Sequence, residues 1–379
     1  MSDKYFAVDP KWQYYAGNDA DLYYHHLHGT AQEIEAINPA GVLVFTCSEM
    51  DIETIFQPLI GLLVPWLKST NKKIHLFSSG VPYDYHVETK SYIVWHECHA
   101  YDITNFHTIL RHYQEQKPII SAPTTLFTCY NNRPCDYRTY LIDQLARANL
   151  LDDGVVTYRY FINNCNIEEE FLYYDGTPRL VDEEDFVLHQ GYIPNDLPKS
   201  YLTGLIDIVT ESRVDPGEFY LSEKTCKPIL AQKPFLALSS QHYHAWLKKE
   251  KGIELYDEIF DYTFDTFPRF SQRALGIVDN LIRLREEYNT PKDYKHLLQK
   301  LAPKLNHNLH TYIKYVLSGK GLSPKDFEWI NLPLAELQHY LVRGEDYFGE
   351  LYNINHFYQR VILPYNRGEF SLPFFPAVA

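Results

Sequence analysis

Two cations in this sequence stand at the start of a helix, the end that disfavours them. Arg138 falls in the first turn of a helix beginning near Asp136, after the loop Asn131-Asn132-Arg133-Pro134-Cys135. Lys224 falls in the first turn of a helix beginning near Ser222, after Glu211-Ser212-Arg213-Val214-Asp215-Pro216-Gly217-Glu218-Phe219-Tyr220-Leu221. A positive side chain at that end opposes the helix dipole. A bound phosphate reverses the balance, because exposed N–H groups and a cation both favour an oxyanion. Ser222 is the expected N-cap, and Glu223 is favourable in the first turn. Both loops leave a strand and enter a helix, and open α/β sheets bind their ligands at such loops. On the residues alone, a diphosphate site and a set of surface pairs (Arg138 with Asp136, for one) account for the pattern equally.

A longer pattern surrounds these cations. Glu211-Ser212, then Phe219-Tyr220-Leu221-Ser222-Glu223-Lys224, then a helix and Pro234-Phe235-Leu236-Ala237-Leu238, resembles the donor-binding motif of the α1,3-fucosyltransferase family. It is also similar to phage-type glycosyltransferases that carry Y-L-S-E-K followed by K-P-I-L-A-x-x-P-F-L. Upstream, Tyr130-Asn131-Asn132-Arg133 with Tyr137-Arg138 falls where the family places the loop of its phosphate-binding arginine. Downstream, Phe260-Asp261 and Arg273 fall where related chains close the sheet and begin the return helix. The likeness covers about residues 125–285. It departs from the family in three ways. The Asn after Glu211 is absent, the linker to Tyr220 differs, and Cys226-Lys227-Pro228 sits inside the helix.

The resemblance implies an α/β, GT-B-like fold, with two Rossmann-like domains facing across a cleft and a helical C-terminal extension. The expected divisions are 1–120 on the acceptor side, 121–290 for the nucleotide sugar, and 291–379 for the extension. Carried over, Lys224 contacts the diphosphate, Glu223 accepts from the ribose hydroxyls, and Arg138 pairs with a phosphate. Arg133 lies on the same loop, Tyr220 or Tyr158 stacks on the base, and Glu211 shapes the site. Neutralising the departing nucleoside diphosphate is electrostatic catalysis. An inverting transfer also needs a base for the acceptor hydroxyl. Glu97 is the first candidate and Glu49 the second, with Asp51 and Asp102 on the same N-domain loops. The nucleotide sugar is a co-substrate, so no cofactor and no metal is expected. The acceptor is either a glycan or small molecule, or a hydroxymethylated pyrimidine in phage DNA. The competing class is a non-catalytic nucleotide-binding or structural protein on the same fold.

The elements that must position these residues follow from periodicity. Short apolar runs at 42–45, 73–77 and 91–95 read as strands, with helices at about 51–67 and 105–113 between and after them. After the Pro118 and Pro123 breaks the alternation restarts: strand 125–130, helix 136–148, strand 154–161, strand 206–210, helix 222–232, strand 235–238. Alternating strands and helices imply parallel sheets. Helices follow at 279–288, 293–301 and 309–317.

Composition sets the outer limits. The chain has 379 residues, about right for two domains, with 45% hydrophobic and 22% charged residues. A formal charge of −14 gives non-specific nucleic-acid binding no support. A DNA acceptor would need a local basic groove, for which Lys68, Lys72, Lys73, Lys248, Lys249 and Lys251 are the available clusters. Six dispersed cysteines with no C-x-x-C pair read as reduced thiols of a cytoplasmic protein, in the host cytoplasm if viral. No membrane span is expected, since the most apolar stretch, 52–67, is short and holds Pro58 and Pro65. His96 and His99 fall on opposite faces at a strand end, and His242 with His244 read as surface or core histidines.

Overall fold

The computed structural model describes residues 5–8, 28, 29, 31, 32, 34–36, 42–47, 57–78, 80–82, 91–97, 123–131, 135–158, 173, 174, 177–179, 199–212, 214, 218–317 and 358–368. The chain divides into two compact units, residues 1–104 with 316–371 and residues 105–315 with 372–379. It is a mixed α/β protein with parallel sheets. Among the described residues, no helix is long and apolar enough to cross a membrane.

In the first unit, β1 (Tyr5–Val8), β2 (Val42–Cys47), β3 (Ile74–Ser78) and β4 (Ile93–Glu97) form one parallel sheet in that order. Helix α1 (Gln57–Thr70) connects β2 to β3 and buries Leu59, Ile60, Leu63 and Leu67. Leu59 and Ile60 each lie three or four residues from Leu63, and Leu63 four from Leu67, the spacing that keeps apolar side chains on one helical face. The expected strands at 42–45, 73–77 and 91–95 are present within a residue or two. Strand β1 was not anticipated, because its polar and aromatic surroundings hide a run of only 4 residues. The expected helix at 105–113 lies outside the described residues.

The second unit holds β5 (Thr125–Asn131), α2 (Asp136–Arg147), β6 (Gly154–Tyr158), α3 (Lys199–Thr203), β7 (Gly204–Thr210), β8 (Glu218–Tyr220), α4 (Glu223–Leu230) and β9 (Phe235–Leu238). Helices α5 (Tyr243–Lys251), α6 (Phe270–Glu287) and α7 (Pro291–Leu317), the last of these through Tyr315, complete it. Its sheet runs β9-β7-β5-β6, all parallel. Counted in chain order within the unit, that is 2-1-3-4 from the β6 edge, the order of a doubly wound sheet. The chain passes from β5 outward to β6, then returns across to β7 on the other side. Every residue of β7 is buried, and β9 reads Phe-Leu-Ala-Leu with all four buried. Continuous burial is what a parallel strand covered on both faces requires. The outer edge of β9 is closed by a side chain: His244 Nε2 accepts the Ala237 amide at 3.0 Å.

Two helices differ from expectation. Helix α6 starts at Phe270, well before the expected 279, and α7 runs unbroken where two pieces were expected. Pro303 lies inside α7 and removes one backbone bond, a loss the burial of Leu297, Leu301, Leu305 and Leu309 along one face outweighs. In α6 the closest packing is at Gly276. A Cβ there would stand 2.2 Å from the Phe264 Cβ, so the glycine is what lets the helix approach the short 3-10 turn Thr263–Thr266. Gly276→Ala should therefore cost about 1–2 kcal/mol by overpacking, read as a lower urea midpoint. An unchanged midpoint would show that the helix can move away without loss.

Candidate functional site

The loops after β5 and β7 both open at the carboxyl edge of this sheet, and β5 and β7 are its two central, neighbouring strands. They flank the point where the strand order reverses, which is where doubly wound sheets hold ligands. The strand ends are locked together by polar side chains. Thr210 Oγ1 donates to Asn131 Oδ1 at 2.6 Å, and the Asn131 amide donates to Thr157 Oγ1 at 3.0 Å.

Arg138 is buried in the first turn of α2, not a solvated surface cation. Its Nη2 donates to the Thr210 carbonyl at 3.4 Å, and its guanidinium lies 5.4 Å from the centre of the Tyr137 ring. The Tyr137 hydroxyl donates to the Glu211 carbonyl at 2.8 Å. Helix α2 is thereby tied to the end of β7 by two adjacent residues. Its N-cap, Cys135, makes no side-chain capping bond.

Lys224 reaches the same place from α4. Its Nζ donates to Ser212 Oγ at 3.0 Å. Ser222 caps α4 as expected, its Oγ accepting the Lys224 amide at 3.1 Å. The helix continues through Pro228, which costs it one backbone bond inside a helix of 8 residues. The two cations therefore bracket a three-residue stretch, 210–212, whose centre is Glu211.

Glu211 is fully buried. Its Oε2 accepts from the Ser222 hydroxyl at 2.5 Å and the Ser212 amide at 3.2 Å. Its Oε1 accepts from Thr225 Oγ1 at 2.5 Å, the Ser222 amide at 3.3 Å and the Tyr243 hydroxyl at 3.4 Å. All of these donors are neutral, and no lysine, arginine or histidine pairs with this carboxylate among the described residues. Burial, and then the negative charge of Glu211, push the Tyr243 phenol well above its usual range.

Two further clusters hold the site's frame; the sequence marked Arg273 only as the start of the return helix and did not single out Lys233. Arg273, fully buried in α6, donates Nε to the Ser239 carbonyl at 2.9 Å. Its Nη1 donates to Phe267 at 2.6 Å and Pro268 at 2.9 Å, and its Nη2 to the Val214 carbonyl. One side chain thus joins the loop after β7 to the end of β9. Under the sheet, Lys233 Nζ donates to Thr128 Oγ1 and the Tyr201 carbonyl, both at 2.8 Å. Thr128 in turn donates to Asp207 Oδ1 at 2.8 Å, and the Tyr201 hydroxyl to Oδ2 at 2.5 Å. Burial lowers the Lys233 ammonium to about 8 against the opposing pull of Asp207.

His244 is a core histidine. Its Nε2 accepts the Ala237 amide, so its Nδ1 carries the proton donated to Asp265 at 2.8 Å. Asp265 also accepts the His244 and Ala245 amides and so caps α5. Burial opposes its ionisation, yet the ring and these amides hold its carboxyl below the usual range.

One expected role meets a correction. Tyr158 is 1% exposed, with its hydroxyl 2.7 Å from Thr139 Oγ1 and its ring edge-on to Tyr174. Such a ring has no open face for a nucleobase. The side chains of Tyr220 and Glu223 lie outside the described residues, although their backbone is placed in β8 and at the start of α4. Glu97 ends β4, its side chain outside the described residues. Glu49, Asp51, Asp102, His99 and Arg133 lie outside them altogether. Among the described residues, no group of three or more His, Cys, Asp or Glu converges as a metal site does. The α5 lysines are engaged locally: Lys248 with Asp257 at 3.8 Å, Lys249 with Glu250 at 2.9 Å, and Lys251 with the Tyr315 hydroxyl at 2.7 Å.

Compared with protein-family models, curated proteins and solved structures, the chain matches none.

Proposed function

We propose that the chain is a nucleotide-sugar-dependent glycosyltransferase of GT-B type, with its donor held at the carboxyl edge of the second unit's sheet. The observation that supports this reading most is the convergence of Arg138 and Lys224. Each sits in the first turn of a helix that follows one of the two strands at the switch point, and both reach the stretch 210–212. A diphosphate is the ligand group that two such cations suit. Lys224 and Arg138 then neutralise charge on the departing nucleoside diphosphate, Glu223 accepts from the ribose and Tyr220 stacks on the base. Arg133 adds a cation to the same loop. A carboxylate, Glu97 first and Glu49 next, takes the proton of the acceptor hydroxyl as the sugar inverts. The acceptor is a glycan or a hydroxymethylated pyrimidine in DNA. The α5 lysines, already engaged, lend no support to a DNA groove on that helix.

A panel of nucleotide sugars and nucleoside diphosphates, scored by calorimetric titration and by turnover, tests the reading. Lys224→Ala and Arg138→Ala should each weaken the tightest ligand by about tenfold or more, the scale of one charge-assisted contact. Undiminished binding in both variants would place the donor elsewhere. Binding without turnover on any acceptor would favour the non-catalytic alternative.

A further inference from the structure

Burying a carboxylate with no cation against it is costly, and a protein keeps such a group only where hydrogen bonds satisfy it. Glu211 is that case, with zero exposure and five neutral donors from Ser212, Ser222, Thr225 and Tyr243. These bonds fill both oxygens and turn the carboxylate into the start of α4. It has no surface to offer a ligand. Its charge nevertheless lies between the two residues that Arg138 and Lys224 grip, Thr210 and Ser212.

We infer that Glu211 does not touch the donor but sets the charge the site tolerates, disfavouring the free nucleoside diphosphate relative to the intact nucleotide sugar. This rests on the donor-site reading above. The two ligands differ in one respect that a fixed charge can read. In the sugar nucleotide the terminal phosphate is esterified and carries one negative charge. In the released diphosphate it carries close to two at neutral pH, since a phosphate monoester loses its second proton near pH 6. A buried negative charge behind the cations repels the extra charge through a medium that screens it less than water does. Arg138 and Lys224 attract both ligands. Glu211 takes back more of that attraction than the second charge adds, so the product leaves more readily than the donor.

The test uses the full chain and three probe sets: UDP, GDP and ADP, each with its β-methyl ester and its glucose diphosphate ester. The base giving the largest thermal stabilisation of wild type is carried forward. The methyl ester removes one charge and adds little bulk. In Glu211→Gln, binding of the free diphosphate relative to its methyl ester should tighten by about tenfold over wild type, the order expected for a unit charge removed nearby at an intermediate effective dielectric. A merely structural role would weaken both ligands together and leave the ratio within about threefold, and that result overturns the inference. Should Glu211→Gln fail to fold, wild type alone decides. Binding the methyl ester at least as tightly as the free diphosphate supports the inference, and weaker binding overturns it. If no probe binds wild type, or if Lys224→Ala and Arg138→Ala bind undiminished, the donor-site reading fails and takes this inference with it. A bound probe with an unmoved ratio removes the inference alone.

Discussion

Arg273→Ala should destabilise the second unit by about 3–5 kcal/mol, the scale of truncating a large buried side chain and breaking its hydrogen-bond network. The guanidinium is 1% exposed and donates to the carbonyls of Ser239, Phe267, Pro268 and Val214. Truncation leaves those acceptors without this donor and opens a cavity where the side chain lay. The midpoint of thermal unfolding should fall by on the order of 10 °C for a protein of this size. Arg273→Lys should recover less than half of the loss. A lysine presents three donors from a single atom, whereas the planar guanidinium spreads five across a fork. The two carbonyls most at risk belong to the loop after β7 and the end of β9, so the same variant should also weaken whatever binds beside Lys224. A loss below about 1 kcal/mol for Arg273→Ala would mean the carbonyls find water or other partners.

The second large effect is read through pH. Lys233 lies among Thr128, Tyr201 and Asp207, and burial lowers it from 10.5 to about 8. Above pH 8 the native amine is neutral, while the unfolded lysine keeps its proton up to its ordinary value. The unfolded state therefore binds more protons between these two values, and native stability rises with pH across that window. The shift corresponds to about 3 kcal/mol in all, at 1.36 kcal/mol for each pH unit. Other groups act in the opposite direction. Burial pushes the Cys129 thiol from 9.0 up to about 12, and the Tyr201, Tyr243 and Tyr262 phenols well above theirs. These acids stay protonated in the native state while the unfolded chain ionises, so they lower stability as pH rises. A single pH profile mixes all of them, and the comparison with Lys233→Met separates the lysine. The stability gap between wild type and Lys233→Met, from urea titrations at pH 7.5, 9 and 10.5, should widen by about 3 kcal/mol in favour of wild type. A gap independent of pH would show that the native lysine titrates as it does in the unfolded chain.

The local elements were legible in the residues themselves. Apolar runs and their spacing placed β2 to β7, β9, α2 and α4 to within a few residues, because those signals act over a turn or a pleat. Ser222 was readable as a cap for the same reason, since its partner amide is two residues away. The two cations at helix starts were equally visible. Local grammar also misled where packing overruled it. Helix α6 begins earlier than expected and α7 bridges the gap expected between its two pieces: burial along one face carries α7 past Pro303, and Gly276 lets α6 approach Phe264.

Only tertiary structure decided what those residues do to one another. The order 2-1-3-4 makes β5 and β7 neighbours, and that neighbourhood brings Arg138 and Lys224 to a common stretch. Nothing in a local window sets it, because strand order depends on which surfaces bury each other. The ring of donors around Glu211 comes from positions up to 32 residues away, and Lys233 finds Thr128 across 105. A buried polar group must be satisfied by whatever the fold delivers, so a sequence shows that such a group exists without showing its partners. Tyr158 makes the point in reverse. Its type suited a stacking platform, and the packing of Thr139 and Tyr174 around it made it part of the core.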